Sequence, residues 1–373
     1  MESLRVLVSG ASIAGLSTAY WMNRLGYKVT VVEMANQLRT GGVAVDVRDK
    51  AVDVAKRMGI FEQLKENRLT TEVWEFKNAD DITEGSMMLS GQDTQPPDDE
   101  DGVEIDREKL VNILFDTIKH DVEFIFNDSI AELKETETEI IAISKNGLQR
   151  SFDLVFGCDG LHSGVRKIWF GDEAEYSRFL QIYFSVSTVN KLLTKPNTSQ
   201  MYNVPDKAIM LNTYSDKTAI VFSFFSENEI PYNYRDEEQQ RKIIREQFAG
   251  QSWRTTELLE EINNEESFYF DKICQIIMPS WTKGRVALVG DAAYCASPAS
   301  GSGASLAMIG AATLADTIEK HNGNFELAFQ EYNNILRPYI EEIQTTARIN
   351  IVESFVPRTE EAIRKRNAQT TPF

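Results

Sequence analysis

Three cysteines and three histidines are all that 373 residues hold of those types. Cys158, Cys274 and Cys295 are odd in number and widely spaced, so neither a disulfide framework nor a zinc site is expected, and each reads as a small buried hydrophobe. His120, His162 and His321 are too scattered for a metal centre, and none sits in a Ser-His-Asp spacing or beside a nucleophile elbow. No metal is expected, and hydrolase chemistry has no visible machinery. Positive charge is also short: 39 Lys and Arg face 57 Asp and Glu, a formal net charge of −18. That balance argues against a nucleic acid or an anionic membrane surface as partner. No apolar run approaches membrane-spanning length, and the N-terminus lacks a signal-peptide pattern. A cytoplasmic monomer acting on small molecules is the expectation, with 42% hydrophobic residues available for its core.

What is present is concentrated in three segments. The first is a βαβ unit: an apolar β run over residues 4–9, the turn Gly10-Ala-Ser12-Ile13-Ala14-Gly15, helical periodicity over 16–25 and a second β run over 28–33. Gly10, Ser12 and Gly15 hold the positions of a dinucleotide fingerprint, with serine in place of the usual middle glycine, and Glu33 ends the second strand where an acid can hold a ribose. The second segment is a strand over 152–157 that ends in Asp159-Gly160. The third runs Val286-Ala-Leu-Val-Gly290-Asp291, then Pro298-Ala-Ser-Gly301-Ser302-Gly303-Ala304. It reads as a buried strand with an acid at its tip, then glycines opening a helix whose free N–H groups face any negative charge on a flat ligand.

Elsewhere, residues 93–102 read as a solvated acidic loop, and Asp106 as the N-cap of a helix to about residue 119. Strands are expected over 122–127 and 139–144. β-rich runs at 180–189, 208–214 and 219–225 without intervening helices suggest an antiparallel sheet in a second domain. Helices are expected over 236–248, 257–262 and 304–320. A long helical tail follows over 325–352, interrupted at Pro338, with a last helical piece over 357–366.

Taken together, the three segments resemble the class A FAD-dependent aromatic hydroxylases typified by p-hydroxybenzoate hydroxylase. Asp159-Gly-Leu-His-Ser163-Gly-Val-Arg166 is similar to that family's Asp-Gly motif, implicated in both FAD and NAD(P)H binding. Trp281-Thr-Lys-Gly284 through Gly290-Asp291-Ala-Ala is similar to its Gly-Asp motif, and Arg107 matches a family arginine that touches FAD. The segment Gly41-Gly42-Val-Ala-Val-Asp46-Val-Arg48 looks most like the compact tetracycline-inactivating monooxygenases. Tyr294, Ser302 and Met34 depart from the family, which commonly has histidine, glutamine and a basic residue there. Arg39 is the residue that can compensate for Met34.

The resemblance implies an α/β fold: a Rossmann-like FAD-binding domain (1–75, 101–178, 271–324), an inserted antiparallel β-sheet substrate domain (76–100, 179–270) and a C-terminal bracing helical segment (325–373). It implies that FAD is held by Gly10, Ser12, Ile13, Ala14, Gly15, Glu33, Arg39, Asp46, Arg48, Arg107, Asp159, Gly160, Gly290, Asp291, Pro298, Gly301, Ser302, Gly303 and Ala304. It also implies NADPH or NADH and O₂ as co-substrates, and hydroxylation of an aromatic or enolic, even polycyclic, small molecule through a flavin C4a-hydroperoxide. Tyr202, Tyr214 and Tyr294 are candidates for deprotonating such a substrate, each with ordinary packing as the competing role. Rival readings are a flavin-dependent halogenase or reductase on the same fold and a non-catalytic flavin-bearing binding protein. The paired-tryptophan halogenase signature is missing, since Trp21, Trp74, Trp169, Trp253 and Trp281 are all isolated.

Overall fold

The structure, a computed structural model, describes residues 3–39, 41–88, 102–214, 216–234, 236–263, 265 and 267–368. Its centre is a six-stranded sheet in the order Thr282–Lys283, Val286–Leu288, Leu154–Gly157, Arg5–Ser9, Lys28–Glu33, Glu123–Phe126. All pairings are parallel except that of the short edge strand Thr282–Lys283. The inner strands are unbroken apolar runs because both faces are covered, and Val6, Val8, Val31, Val155, Phe156 and Val286 are fully buried. Helices Ile13–Arg24 and Gly303–Lys320 pack on each other over this sheet, and the long helix Phe325–Asn350 packs on Gly303–Lys320 in turn.

Strand runs predicted over 152–157 as one piece prove to be two. Gln149–Phe152 belongs to a separate three-stranded antiparallel sheet with Ile140–Ser144 and Ile130–Glu135, whereas Leu154–Gly157 joins the parallel sheet. The switch falls at Asp153, whose N–H donates to Arg5 O (2.8 Å) and whose Oδ2 accepts from the Arg5 N–H (2.6 Å).

The second large body is a seven-stranded sheet in the order Phe268–Ile276, Ser177–Val189, Thr218–Phe225, Lys207–Thr213, Thr198–Val204, Val73–Lys77, Thr83–Met88. One face packs Tyr183, Ile209, Ile220, Phe222 and Phe224 against helices Glu237–Phe248 and Thr255–Asn263. The alternate residues Ile182, Phe184, Ala208 and Ile273 form the other face, against Ala299, Ile351 and Phe355. Thr198–Val204 was not foreseen; its Thr-Ser-Gln-Met-Tyr-Asn-Val sequence lacks an apolar alternation, and pairing on both sides makes it a strand. The domain boundaries expected at 75/76, 178/179 and 270/271 fall inside the strands Val73–Lys77, Ser177–Val189 and Phe268–Ile276. A two-stranded ribbon, Ala44–Val47 with Val103–Asp106, contacts helix Gly303–Lys320 on one side and, through Glu104 with Tyr214 and Asp106 with Lys217, the end of the Lys207–Thr213 hairpin on the other. Most of the acidic stretch 93–102 lies outside the described residues, Gly102 excepted.

The predicted break at Pro338 does not occur: Phe325–Asn350 is one helix with Pro338 inside it. Proline removes only the hydrogen bond to the Asn334 carbonyl, and both residues lie on the exposed face, where water can take that bond. Past a π turn at Ile351–Phe355, the helix Glu360–Asn367 docks on the large sheet through buried Arg366. Its guanidinium donates to Ser354 O (2.5 Å) and Asn203 Oδ1 (2.6 Å) and lies over the Phe76 ring (4.3 Å). No helix among the described residues is long and apolar enough to cross a membrane.

Candidate functional site

At the end of Arg5–Ser9, three close approaches dictate glycine. Gly10 has φ +102°, and a Cβ there would stand 2.5 Å from Cys158 O; a Cβ on Gly15 would stand 1.8 Å from Gly10 O. Gly290 (φ +69°) comes so close to the same helix that its Cβ would lie 2.9 Å from Ala14 Cβ. The first and third segments thus meet with buried Ile13 and Ala14 between them. Ser12 takes no capping role; its Oγ instead accepts from Arg107 Nη2 at 2.8 Å. Burial holds the Arg107 guanidinium below its ordinary value and exposed Arg39 pushes the same way, while Glu33, Asp106 and Asp291 oppose them. Among the described residues, no carboxylate lies within salt-bridge distance of Arg107 or Arg39. Two cations, a glycine turn and a helix N-terminus are a donor set suited to a pyrophosphate. Glu33 ends its strand with Oε2 on the Ala11 N–H (2.7 Å) and Oε1 on the Ala35 N–H (2.9 Å), which fixes the carboxylate beside the turn. Met34 next to it is 58% exposed and offers no charge.

Asp159 follows the neighbouring strand, but its carboxylate is engaged within the chain. It accepts from the Ser163 hydroxyl, from the Val165 N–H (3.1 Å) and from Ser9 Oγ (3.4 Å), and burial raises it above the usual carboxylate range. Gly160 (φ +79°) has open space where a Cβ would be. The motif's Arg166 is fully buried and donates to Ala292 O (2.9 Å), Leu161 O (2.5 Å) and Glu173 Oε2 (3.0 Å).

His162, to which no role had been given, bridges the motif to the large sheet: Nδ1 lies 3.0 Å from Glu173 Oε2 and Nε2 3.1 Å from Asp271 Oδ2. Buried Asp271 also accepts from Tyr232 (2.9 Å) and Tyr269 (2.8 Å). Asp271 first and Glu173 second push the imidazole up to about 10. A base raised on folding contributes stability that is full below its unfolded value of about 6.5 and is lost as pH rises through the folded value. The melting-temperature difference between wild type and H162Q is therefore expected to shrink steadily from pH 7 to pH 10.5. A difference that stays constant over that range would exclude a charged bridge.

The third segment supplies the most open part of the site. Asp291 is solvent-accessible yet ringed by enough protein that burial is the first influence on its carboxyl, raising it; the Cys295 thiol and Arg107 pull the other way. It therefore lies on the floor of a cleft. Pro298, Gly301 and Gly303 are exposed, Gly301 has φ +62°, and nothing lies within 4 Å of a Cβ placed on Gly303. Ser302 does not cap the helix Gly303–Lys320 with its side chain, so the first-turn N–H groups at Gly303 and buried Ala304 face the cleft uncapped. The ribbon leans on this turn: Ser305 Oγ donates to Asp46 O (2.8 Å) and accepts from the Arg48 N–H (3.0 Å), and Arg48 pairs with Asp46 at 2.5 Å.

Glu104 belongs to none of the three sequence segments. It stands directly across the ribbon from Asp46 and accepts from Tyr214 at 3.3 Å. Burial and Asp46 raise its carboxyl. The one available signal was its spacing of two from Asp106, which places both acids on one face of a strand. Of the three tyrosine candidates only Tyr214 stands beside this cluster. Tyr202 is buried on the helix-covered face against Trp253. Tyr294 is core, its hydroxyl bound to Tyr332 (3.2 Å) and so tight against Gly310 that a Cβ there would lie 1.8 Å from it. Among the described residues, no group of three His, Cys, Asp or Glu could hold a metal ion.

A dinucleotide turn, a parallel sheet and an acid at the floor of an open cleft are the parts of a flavin enzyme, and comparison with known proteins agrees. The model of the FAD binding domain family matches residues 3–323, and the chain belongs to that family. Its architecture is that of the class A FAD-dependent monooxygenases, and it is an FAD-dependent oxidoreductase with monooxygenase activity on small organic molecules. A flavin-dependent monooxygenase of Legionella longbeachae is 35% identical over 364 residues, 96% of this chain and 91% of that protein. The crystal structure of tetracycline destructase Tet(51) matches with a TM-score of 0.86 at 34% identity, over 98% of this chain and 94% of that one. Tetracycline destructase Tet(55) matches with a TM-score of 0.85 at 35% identity, over 98% and 94%.

Proposed function

We propose that the chain uses NAD(P)H and O₂ to hydroxylate an aromatic or enolic small molecule, with polycyclic, tetracycline-like compounds among its candidate substrates. FAD, when bound, supplies the two-electron chemistry that activates O₂. The chain's own residues hold and shield it. Ser12, Arg107 and Arg39 take the pyrophosphate beside Gly10 and Gly15, Glu33 takes a ribose, and Asp291 takes the hydroxyls of the ribityl chain. The Pro298–Gly303 loop and the first turn at Ala304 receive the ring, with their N–H groups and helix dipole favouring negative charge on it. Asp46 and Arg48 brace that turn from the ribbon. Asp159 acts through its cap on the 164–169 helix, and Gly160 keeps the approach open.

The observation that carries this reading is the uncapped start of Gly303–Lys320, reached through a loop whose Ala299 joins Ile182 and Phe184 of the large sheet in one apolar cluster. Half-buried Leu180 and Phe184 are the apolar contacts that this face of the sheet offers a flat substrate, and water exclusion there protects the reactive species. Glu104 and Tyr214 stand at its edge as the groups able to take a substrate's hydroxyl proton.

The test is NAD(P)H consumption by the FAD-loaded protein across a panel of phenols, enols and tetracyclines. At least one class of ligand is expected to accelerate consumption tenfold or more. E104Q is expected to lower the ligand-stimulated rate about 100-fold, within the usual range for a proton-transfer group, with the loss shrinking at low pH as the wild-type carboxyl, raised by burial and Asp46, takes up its own proton. No acceleration by any ligand would leave the hydroxylase reading without support.

A further inference from the structure

Two glutamines that the site does not touch directly are among the most completely buried polar side chains: Gln275, on the strand Phe268–Ile276, is 0% exposed, and Gln344, on the long C-terminal helix, is 4% exposed. Both use their amide N–H groups on main-chain carbonyls. Gln344 Nε2 donates to Ile276 O (2.9 Å) and Cys295 O (3.1 Å); Gln275 Nε2 donates to Ala296 O (3.1 Å) and Gln344 O (2.7 Å). Arg348, one turn further along the helix, donates to Gln275 Oε1 (3.0 Å) and so fixes which way that amide faces. Strand, C-terminal helix and the chain leaving Asp291–Tyr294 are thereby sewn together at one point.

The next residue shows what the junction imposes. Ser297 has φ +85° and ψ 155°, a conformation almost confined to glycine, and it precedes a proline. It is 5% exposed and its hydroxyl has no partner among the described residues, so nothing local to its side chain holds it there. Such a backbone persists only when its surroundings over-determine it. The two carbonyls immediately before it, those of Cys295 and Ala296, are the ones the glutamine amides grip. From Ser297 the chain enters Pro298–Ser300, anchored on Ser297 O by Ser300 Oγ (2.8 Å), and then reaches Gly301 and Gly303.

We propose that Gln344 of the C-terminal helix, together with Gln275 of the large sheet, is a positioning residue for the cofactor loop: the pair imposes the strained backbone at Ser297 from which residues 298–303 are set against the flavin ring. The inference rests on the reading of that loop as the ring's seat. It gives the C-terminal helix a role at the cofactor through polar contacts at its far end.

The experiment compares wild type, Q344M, Q344M/S297G and R348M by amide hydrogen exchange and by FAD titration. Methionine keeps the volume of Gln344 and removes both donors; glycine at 297 adopts the required backbone without being held. Q344M is expected to raise exchange tenfold or more at residues 300–302, whose N–H groups are bonded within the loop, selectively over the rest of helix 325–350, and to weaken FAD binding about tenfold. S297G in the Q344M background is expected to recover most of both. R348M leaves the two amide donors in place and is expected to move both readouts in the same direction by a smaller amount, which keeps the proposal testable if Q344M does not fold. Exchange that rises evenly over helix and loop, or a Q344M defect that S297G leaves untouched, would overturn the proposal. Neither readout requires turnover, so a chain that hydroxylates none of the panel compounds could still confirm the junction, and an active enzyme could still refute it.

Discussion

Gly15→Ala is expected to raise the dissociation constant for FAD at least 100-fold, equivalent to about 2.8 kcal/mol. Alanine is the better helix former by roughly 1 kcal/mol, so helix propensity predicts the opposite sign and the result isolates the steric effect. The added Cβ would stand 1.8 Å from Gly10 O, and the carbon of that carbonyl is only 2.9 Å away. That neighbour is backbone of the glycine turn itself and cannot rotate aside. Either the helix Ile13–Arg24 lifts or the turn opens, and both carry Ser12 Oγ away from Arg107. Fluorescence titration of the FAD-free protein checks this. Binding within threefold of wild type would mean that the turn does not hold the pyrophosphate. Gly290→Ala is a milder companion, since its Cβ meets the Ala14 methyl at 2.9 Å and also carries the strain of φ +69°.

Arg166→Met is expected to cost the largest stability of any single substitution in the Asp-Gly motif, about 3–5 kcal/mol. The guanidinium is 0% exposed, and burial already holds it below its ordinary value, with Glu173 and Asp159 the main groups that oppose this. Methionine fills the space but leaves the Ala292 and Leu161 carbonyls without a donor and strips Glu173 of one of its two cations. The Ala292 carbonyl belongs to the short helix that begins at Asp291, so the damage reaches that proposed ribityl contact directly. A fall in melting temperature on the order of 5–10 °C is expected, with FAD restoring part of it by mass action. A change below 2 °C would show that the arginine is retained for something other than this network.

The parallel-sheet half was legible because its physics is local. A buried parallel strand must be an apolar run, and the chain must turn at its end on glycine, so Val6-Leu7-Val8 before Gly10 and Val286-Ala-Leu before Gly290 announce themselves. What escaped depends on contacts distant in sequence. Nothing in Glu-Glu-Ile-Gln-Thr-Thr distinguishes buried Gln344 from its exposed neighbours Glu341 and Glu342. His162 looked isolated because its partners lie at Glu173 and Asp271, the second on a strand of the other sheet. Thr198–Val204 carries no strand pattern of its own and is made a strand by the neighbours on its two sides. Pro338 failed as a helix breaker because its missing hydrogen bond falls where water can replace it.

The central claim is that the cleft above Asp291 inserts one oxygen atom from O₂ into a bound small molecule. The direct measurement is turnover of the FAD-loaded protein with NAD(P)H under ¹⁸O₂, using the ligand that most accelerates NAD(P)H consumption, with the product analysed by mass. The account predicts a product carrying one ¹⁸O atom per NAD(P)H consumed in coupled turnover, and none when the label is supplied as H₂¹⁸O. An unmodified ligand, or a product whose added oxygen comes from water, would contradict it.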